Sequence, residues 1–345
     1  MNQKATSNFS SQLIQILRKI NSIRLLMGLD AFVLLLICVI ALARYFPGPG
    51  IQEGAFTLQD AADWGVSLIF FFYGLKLSPR QLRTDLMNWR LHLTIQSATF
   101  LIFPLVVLLL MFIFGNFGNQ LFWMGTFYLA ALPSTVSSSV VMVSIARGNL
   151  PSAIFNASIS SLAGVFITPL WMGIWMTTEG GGYDLSDVFI KLSLQVLLPV
   201  ALGLFLNHRF GHLAYRHKNS LKWFDQIVIL LIVYTSFCES FANKMFDGHS
   251  TLSIVLLSIA MILLFFVIYE IVSLLTKWMK FNTEDHITAV FCGSKKSLVH
   301  GTVMSKVLFP GVAGVGVILL PLMIYHTLQL IIVSIIAMRF GKRAA

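Results

Sequence analysis

The sequence predicts an all-α polytopic membrane protein of ten transmembrane helices, arranged as two inverted five-helix repeats, with helices four and nine broken. Three observations carry that expectation. Hydrophobic residues make up 57% of the chain and charged residues only 11%, against about 25% charged in a typical soluble domain. Ten apolar runs follow one another, most of about 20 residues, which at about 1.5 Å per residue suffices to cross a bilayer. If the runs alternate in direction, 18 of the 24 lysines and arginines fall on one face. That asymmetry places both termini in the cytoplasm and the protein in the cell membrane as a multi-pass chain.

Taken in order, residues 1–21 form a polar cytoplasmic segment with an amphipathic patch at 13–20 suited to the membrane surface. The first run, 23–46, has no small-residue cleavage site behind it and is expected to stay as a span. Pro47-Gly48-Pro49-Gly50 closes it. Run two, 61–77, leads into a basic turn with Arg80, Arg83 and Arg90. Run three, 91–114, holds Gln96 and Pro104, and run four, 121–146, is interrupted by Pro133 and by the hydroxyls of Ser134, Thr135, Ser137, Ser138 and Ser139. Run five, 152–176, carries Asn156 and Ser158. A glycine-rich acidic linker, 177–187, separates a first repeat, 22–176, from a second, 188–340, with 341–345 as a cytoplasmic tail. Runs six to eight cover 188–207, 224–241 and 252–278. Run nine, 284–309, breaks at 293–297 around Ser294, Lys295, Lys296 and Ser297, and run ten covers 312–338.

Five runs per half is an odd number, so a repeated second half enters the membrane upside down. Inverted repeats of this kind build secondary transporters, with solute and ion sites where interrupted helices meet at the midplane. Runs four and nine hold equivalent places in the two halves. Their hydroxyls and unwound carbonyls suit a small cation, and half-helix N-termini suit an anionic group. A charge at mid-bilayer costs at least about 2.5–3.5 kcal/mol, so Lys295 and Lys296 are expected to face a cavity or a partner. Matched depth pairs one of them with Glu270 of run eight, leaving the other for an anionic solute, for the place of a sodium ion, or as a proton carrier. His300 is balanced between core residue and proton relay, His326 reads as structural, and Gln96 and Asn156 are interhelical bonds or ligands.

Other classes fare less well. The net charge of +10 sits in turns and is explained by membrane orientation, so no nucleic acid partner is expected. Cys38, Cys238 and Cys292 lack CxxC spacing, and neither a disulfide nor a metal centre is expected. An intramembrane enzyme would need an Asp pair, HExxH or Gly-x-Ser-x-Gly, none of which occurs in a run. A non-transporting regulator of ion homeostasis stays open as the alternative. The expected partners are a small, anionic organic solute and the lipid bilayer, with Na+ or H+ as coupling ion, no other cofactor, and a monomer or weak homodimer as the assembly.

The Gly74-Leu75-Lys76-Leu77 end of run two, the Pro-then-Ser-rich run four leading to Ala146-Arg147-Gly148-Asn149, and residues 291–298, Phe-Cys-Gly-Ser-Lys-Lys-Ser-Leu, resemble the bile acid:sodium symporter family, solute carrier family 10, over essentially the whole chain. The Lys-Lys-Ser-Leu form is similar to its branch around member 7. The resemblance implies a panel of spans one, two, six and seven against a core of the other six, with spans four and nine crossing at their breaks. It also implies sodium held by Gln96, by Ser138 and Ser139, and by Asn156 or Ser158. Run nine departs: the family's Glu-Val-Gly-x-Gln-Asn-Ser-Gly has Phe291 in place of its anionic ligand and Lys295 and Lys296 in place of its amides. Positive charge in a cation site repels sodium, so the fold carries over while sodium coupling and bile acid as the solute come into question.

Overall fold

The computed structural model describes residues 31–52, 54, 56–76, 88–115, 118–178, 194, 198–244, 250–310, 312 and 314–342. The expected N-terminal patch, the turn with Arg80 and Arg83, the linker beyond Thr178 and the side chain of Ser137 lie outside the described residues. Every regular element within them is helical: α1 Ala31–Tyr45, α2 Gly48–Ile51, α3 Leu58–Lys76, α4 Trp89–Ser97, a π segment Ala98–Ile102, α5 Phe103–Phe114, α6 Gln120–Ala131, α7 Ser137–Ile145, α8 Leu150–Thr178, α9 Leu198–Arg216, α10 Lys218–Ala242, α11 Thr251–Trp278, α12 Thr283–Gly293, α13 Leu298–Leu308 and α14 Val315–Gly341. Among the described residues, five helices are long and apolar enough to cross a membrane: Trp89–Phe114, which runs through the π segment, Leu150–Trp175, Lys218–Ala242, Thr251–Trp278 and Val315–Gly341.

Local chemistry sets the boundaries. Thr57 and Asp60 cap α3 reciprocally: the Thr57 N–H and hydroxyl donate to Asp60 Oδ2 at 2.8 and 2.7 Å, and the Asp60 N–H donates to Thr57 Oγ1 at 3.1 Å. Pro104 has no N–H to give the preceding turn. The helix answers by widening into the π segment just before it, a recurrent form of single-turn bulge. In α9 the outcome differs from the sequence expectation of a run ending at 207: the helix continues nine residues past Asn207 to Arg216 and carries His208 and His212 exposed.

Two packed groups result. In one, α3 lies along α9 and α10, and α1 lies along α10. In the other, α14 packs on α6, α7, α11 and α13, while α12 packs on α4, α8 and α11. Helix α10 joins the groups through α13 and α14. Buried Phe103, Phe127, Tyr128, Phe265 and Tyr325 fill the second group around the interrupted helices.

Asp285, in the first turn of α12, pins the second group at one end. Its carboxylate accepts from Asn88 Nδ2 at 3.0 Å, Asn149 Nδ2 at 2.7 Å and Asn282 Nδ2 at 3.3 Å, and its N–H donates to Asn282 Oδ1 at 2.7 Å. One carboxylate thereby holds the approach to α4, the α7–α8 turn and its own helix N-terminus, where negative charge is favoured. Asp285→Ala strands these amide donors and is expected to lower stability by about 2–4 kcal/mol. The thermal midpoint of the purified protein in detergent reads that loss.

Candidate functional site

Helix α6 stops at Ala131 and α7 starts at Ser137, and helix α12 stops at Gly293 and α13 starts at Leu298. These two interruptions meet, and each satisfies the backbone of the other. The Ser297 N–H donates to the Pro133 carbonyl at 2.9 Å, and the Ser134 hydroxyl donates to the Cys292 carbonyl at 2.6 Å. Further groups freed by unwinding also find partners, as burial favours. Ser134 N–H donates to Ser160 Oγ at 3.0 Å, and the Ala131 carbonyl accepts from Thr168 Oγ1 at 2.8 Å. Ser294 C=O accepts from the Tyr325 hydroxyl at 2.6 Å. Gln329 of α14 mimics a strand: its Oε1 accepts from the Lys296 N–H at 2.9 Å and its Nε2 donates to the Lys296 carbonyl at 2.8 Å.

Both lysines are fully buried, and their environments differ. Lys296 Nζ donates to the carbonyls of Thr99 at 2.7 Å, Ala130 at 2.7 Å and Leu132 at 2.8 Å, and it sits 4.3 Å from the centroid of the Phe103 ring. Among the described residues, Lys295 Nζ has no hydrogen-bond partner. The expected pair with Glu270 is not formed. Glu270 is exposed on α11, and among the described residues the one salt bridge joins Lys76 to Asp225 at 3.3 Å.

A cavity of about 530 Å³ lies where the two packed groups meet. Its wall includes Thr135 of the first interruption and Ser138 in the first turn of α7, Ser297 of the second interruption and His300 in the first turn of α13, Tyr73 of α3 and Ser158 of α8. Lys218 and Lys222, at the start of α10, also line it, and Asp225 is the one carboxylate among the described residues of its lining. A hydroxyl of the first interruption is linked to the first turn of α7, Thr135 Oγ1 lying 2.7 Å from Ser138 Oγ and 2.8 Å from Ser139 Oγ. His300 Nδ1 lies 2.9 Å from Ser297 Oγ, the cap of α13, and its ring meets Tyr73 edge to face at 5.3 Å. Gln96 and Asn156 form a separate cluster outside the cavity wall. Gln96 Nε2 donates to both oxygens of Asn156 at 3.2 Å, while Asn156 Nδ2 reaches His92 Nδ1 and the Ser152 carbonyl at 2.8 Å.

Neither lysine lines the cavity, and Ser294 lies buried behind it, its hydroxyl spent on the Val290 carbonyl at 2.7 Å. Sequence reasoning missed Gln329 and Tyr325. Their signal is present: two polar side chains one turn apart in an otherwise apolar run.

With this geometry in view, comparisons with known proteins are informative. The model of the SBF-like CPA transporter family matches residues 30–342. "Uncharacterized protein PA2026" of Pseudomonas aeruginosa is 37% identical over 91% of this chain and 93% of its own length. "Putative symporter YfeH" of Escherichia coli is 36% identical over 91% and 94%. Sodium/bile acid cotransporter 7 of Danio rerio is 29% identical over 88% and 91%. The family resemblance carried by run nine thus extends over the length of these proteins, and the chain belongs to the SBF-like CPA transporter family, multi-pass membrane transporters of the sodium/bile acid cotransporter type.

Proposed function

We propose that the protein is a secondary transporter of a small organic anion, working by alternating access between the two packed groups in a ten-span fold of two inverted repeats. The cavity carries this reading. Its volume of about 530 Å³ falls among small-molecule sites of about 300–1,000 Å³, and both helix interruptions reach its wall. Its charge is one-sided: Asp225 is neutralised by Lys76, while Lys218 and Lys222 face the cavity besides. These lysines belong to the face that the positive-charge asymmetry assigns to the cytoplasm, so the cavity is the inward-open solute site and both termini are cytoplasmic. Thr135, Ser138, Ser297 and His300 would supply hydrogen bonds to the solute at its inner end. A bile acid named with one relative is also an organic anion, and the basic lining suits that class.

Proteoliposomes containing only this protein test the proposal. Saturable uptake of at least one member of a panel of labelled organic anions is expected. Replacing both Lys218 and Lys222 by Glu should raise the half-saturating concentration about tenfold, or about 1.4 kcal/mol, with a larger effect at low salt. Absence of flux across the panel, from protein that melts cooperatively, would sink the reading.

A further inference from the structure

We infer that Lys296 is a resident cation: its ammonium fills the carbonyl site where the two interruptions meet, so the crossing is held together without a soluble monovalent cation. The three oxygens at 2.7, 2.7 and 2.8 Å are backbone carbonyls, which can only accept. A neutral amine has two N–H groups, whereas three simultaneous acceptors require the three of an ammonium. The short distances are those of charge-assisted bonds.

Each oxygen is available for a reason written in the local chain. In the π register, Phe103 N–H bonds to the Ala98 carbonyl, five residues back. The next bond in that register would run from Pro104 to Thr99, and proline has no N–H to make it. Thr99 C=O is thereby left to Lys296. Ala130 C=O belongs to the last turn of α6, whose carbonyls have no intrahelical donor, and Leu132 C=O lies in the unwound stretch behind it. Carbonyls at the C-terminal end of a broken helix carry partial negative charge and are where interrupted-helix transporters coordinate small cations. Here the face of Phe103 closes the remaining side at 4.3 Å, a favourable position for a cation. Gln329 fixes the main chain of Lys296 from both its N–H and its C=O, so the tether has a defined base.

Of the set that the resemblance implies for sodium, Gln96 turns its donating nitrogen onto both oxygens of Asn156 while its own Oε1 lies buried with no partner among the described residues, and Ser138 and Ser139 lie within hydrogen-bond distance of Thr135 Oγ1. The inference deepens the transporter reading by naming the ion that the protein does without. Its test needs no solute, so the two can fail separately.

The full-length protein is purified as wild type and as Lys296→Ala, and thermal midpoints are compared in NaCl and choline chloride at equal ionic strength, with and without ethylammonium chloride. The wild-type midpoint is expected to be the same in all salts. The variant should melt about 5–10 °C lower and regain at least half of that loss with ethylammonium, but none with choline, which is too large for the cage. A wild-type midpoint that rises in NaCl over choline overturns the inference. So does a variant that melts with the wild type, or one that no small cation raises. If the variant does not fold, the wild-type comparison decides, together with amine acylation of native protein: Lys296 should be protected, and labelling as fast as Lys218 would overturn the assignment.

Discussion

Gln329→Leu is expected to be among the most damaging single substitutions in the protein. The change keeps the approximate volume of a fully buried side chain, so a cavity is not the source of the loss. What disappears is the pair of bonds to the Lys296 N–H at 2.9 Å and C=O at 2.8 Å, in a stretch with no helical partner to replace them, together with the 2.9 Å contact of Nε2 with His326 Nδ1. Each buried backbone group left unpaired costs about 1–3 kcal/mol, giving about 2–6 kcal/mol for the two. The consequence spreads, because Lys296 anchors the carbonyls of Thr99, Ala130 and Leu132 from that same main chain. Transport in proteoliposomes should fall to background in whatever fraction of Gln329→Leu still folds. Gln329→Glu separates the two bonds, since a carboxylate can accept from the N–H and cannot donate to the carbonyl. Its midpoint should fall between wild type and leucine. A Gln329→Leu protein that melts within about 1 kcal/mol of wild type would show that the interruption is held by something other than this amide.

The interruptions were legible because their chemistry is local. Pro133 with its following hydroxyls, and the Gly-Ser-Lys-Lys-Ser stretch, cannot sit quietly in an apolar helix, and the structure unwinds the chain there. Partners were not legible, because hydropathy gives depth and says little about direction. Glu270 illustrates this: Phe265, Ile268, Val272 and Thr276 mark the buried face of α11, and Glu270, two residues beyond Ile268, is turned about 200° from it. The acceptors that Lys296 found are backbone carbonyls, which no residue type advertises. Only Pro104 hinted at one of them, through the N–H it lacks. Gln96 and Asn156 were legible as polar groups in spans, and the structure joins them to each other rather than to the cavity wall.

The second large effect is expected in the other packed group, at Gly203. Helices α3 and α9 approach so closely that a Cβ on Gly203 would stand inside contact distance of the Phe71 carbonyl oxygen, and a Cβ on Gly74 would do the same with the Val200 carbonyl oxygen. Both obstacles are backbone, so no side-chain rotation relieves them. Small residues that let two backbones touch are a general device of helix pairs in lipid, where dispersion rather than water expulsion drives association. Gly203→Val must therefore push the helices apart, breaking the 2.7 Å bond from Asn207 Nδ2 to the Leu75 carbonyl. It also shifts Lys76 and the Asp225 pair beside the cavity. Overpacking costs about 1–3 kcal/mol and more where backbone blocks relaxation, so a loss of about 3 kcal/mol or more is expected, with Gly203→Ala smaller in the same direction. Gly203→Val combined with Gly74→Val should cost less than the sum, because one displacement relieves both clashes. Gly48→Ala is the control, since a Cβ there meets nothing within 4 Å. Thermal midpoints and anion uptake measured on the same preparations decide the matter: wild-type behaviour of Gly203→Val would mean that α3 and α9 do not pack backbone to backbone.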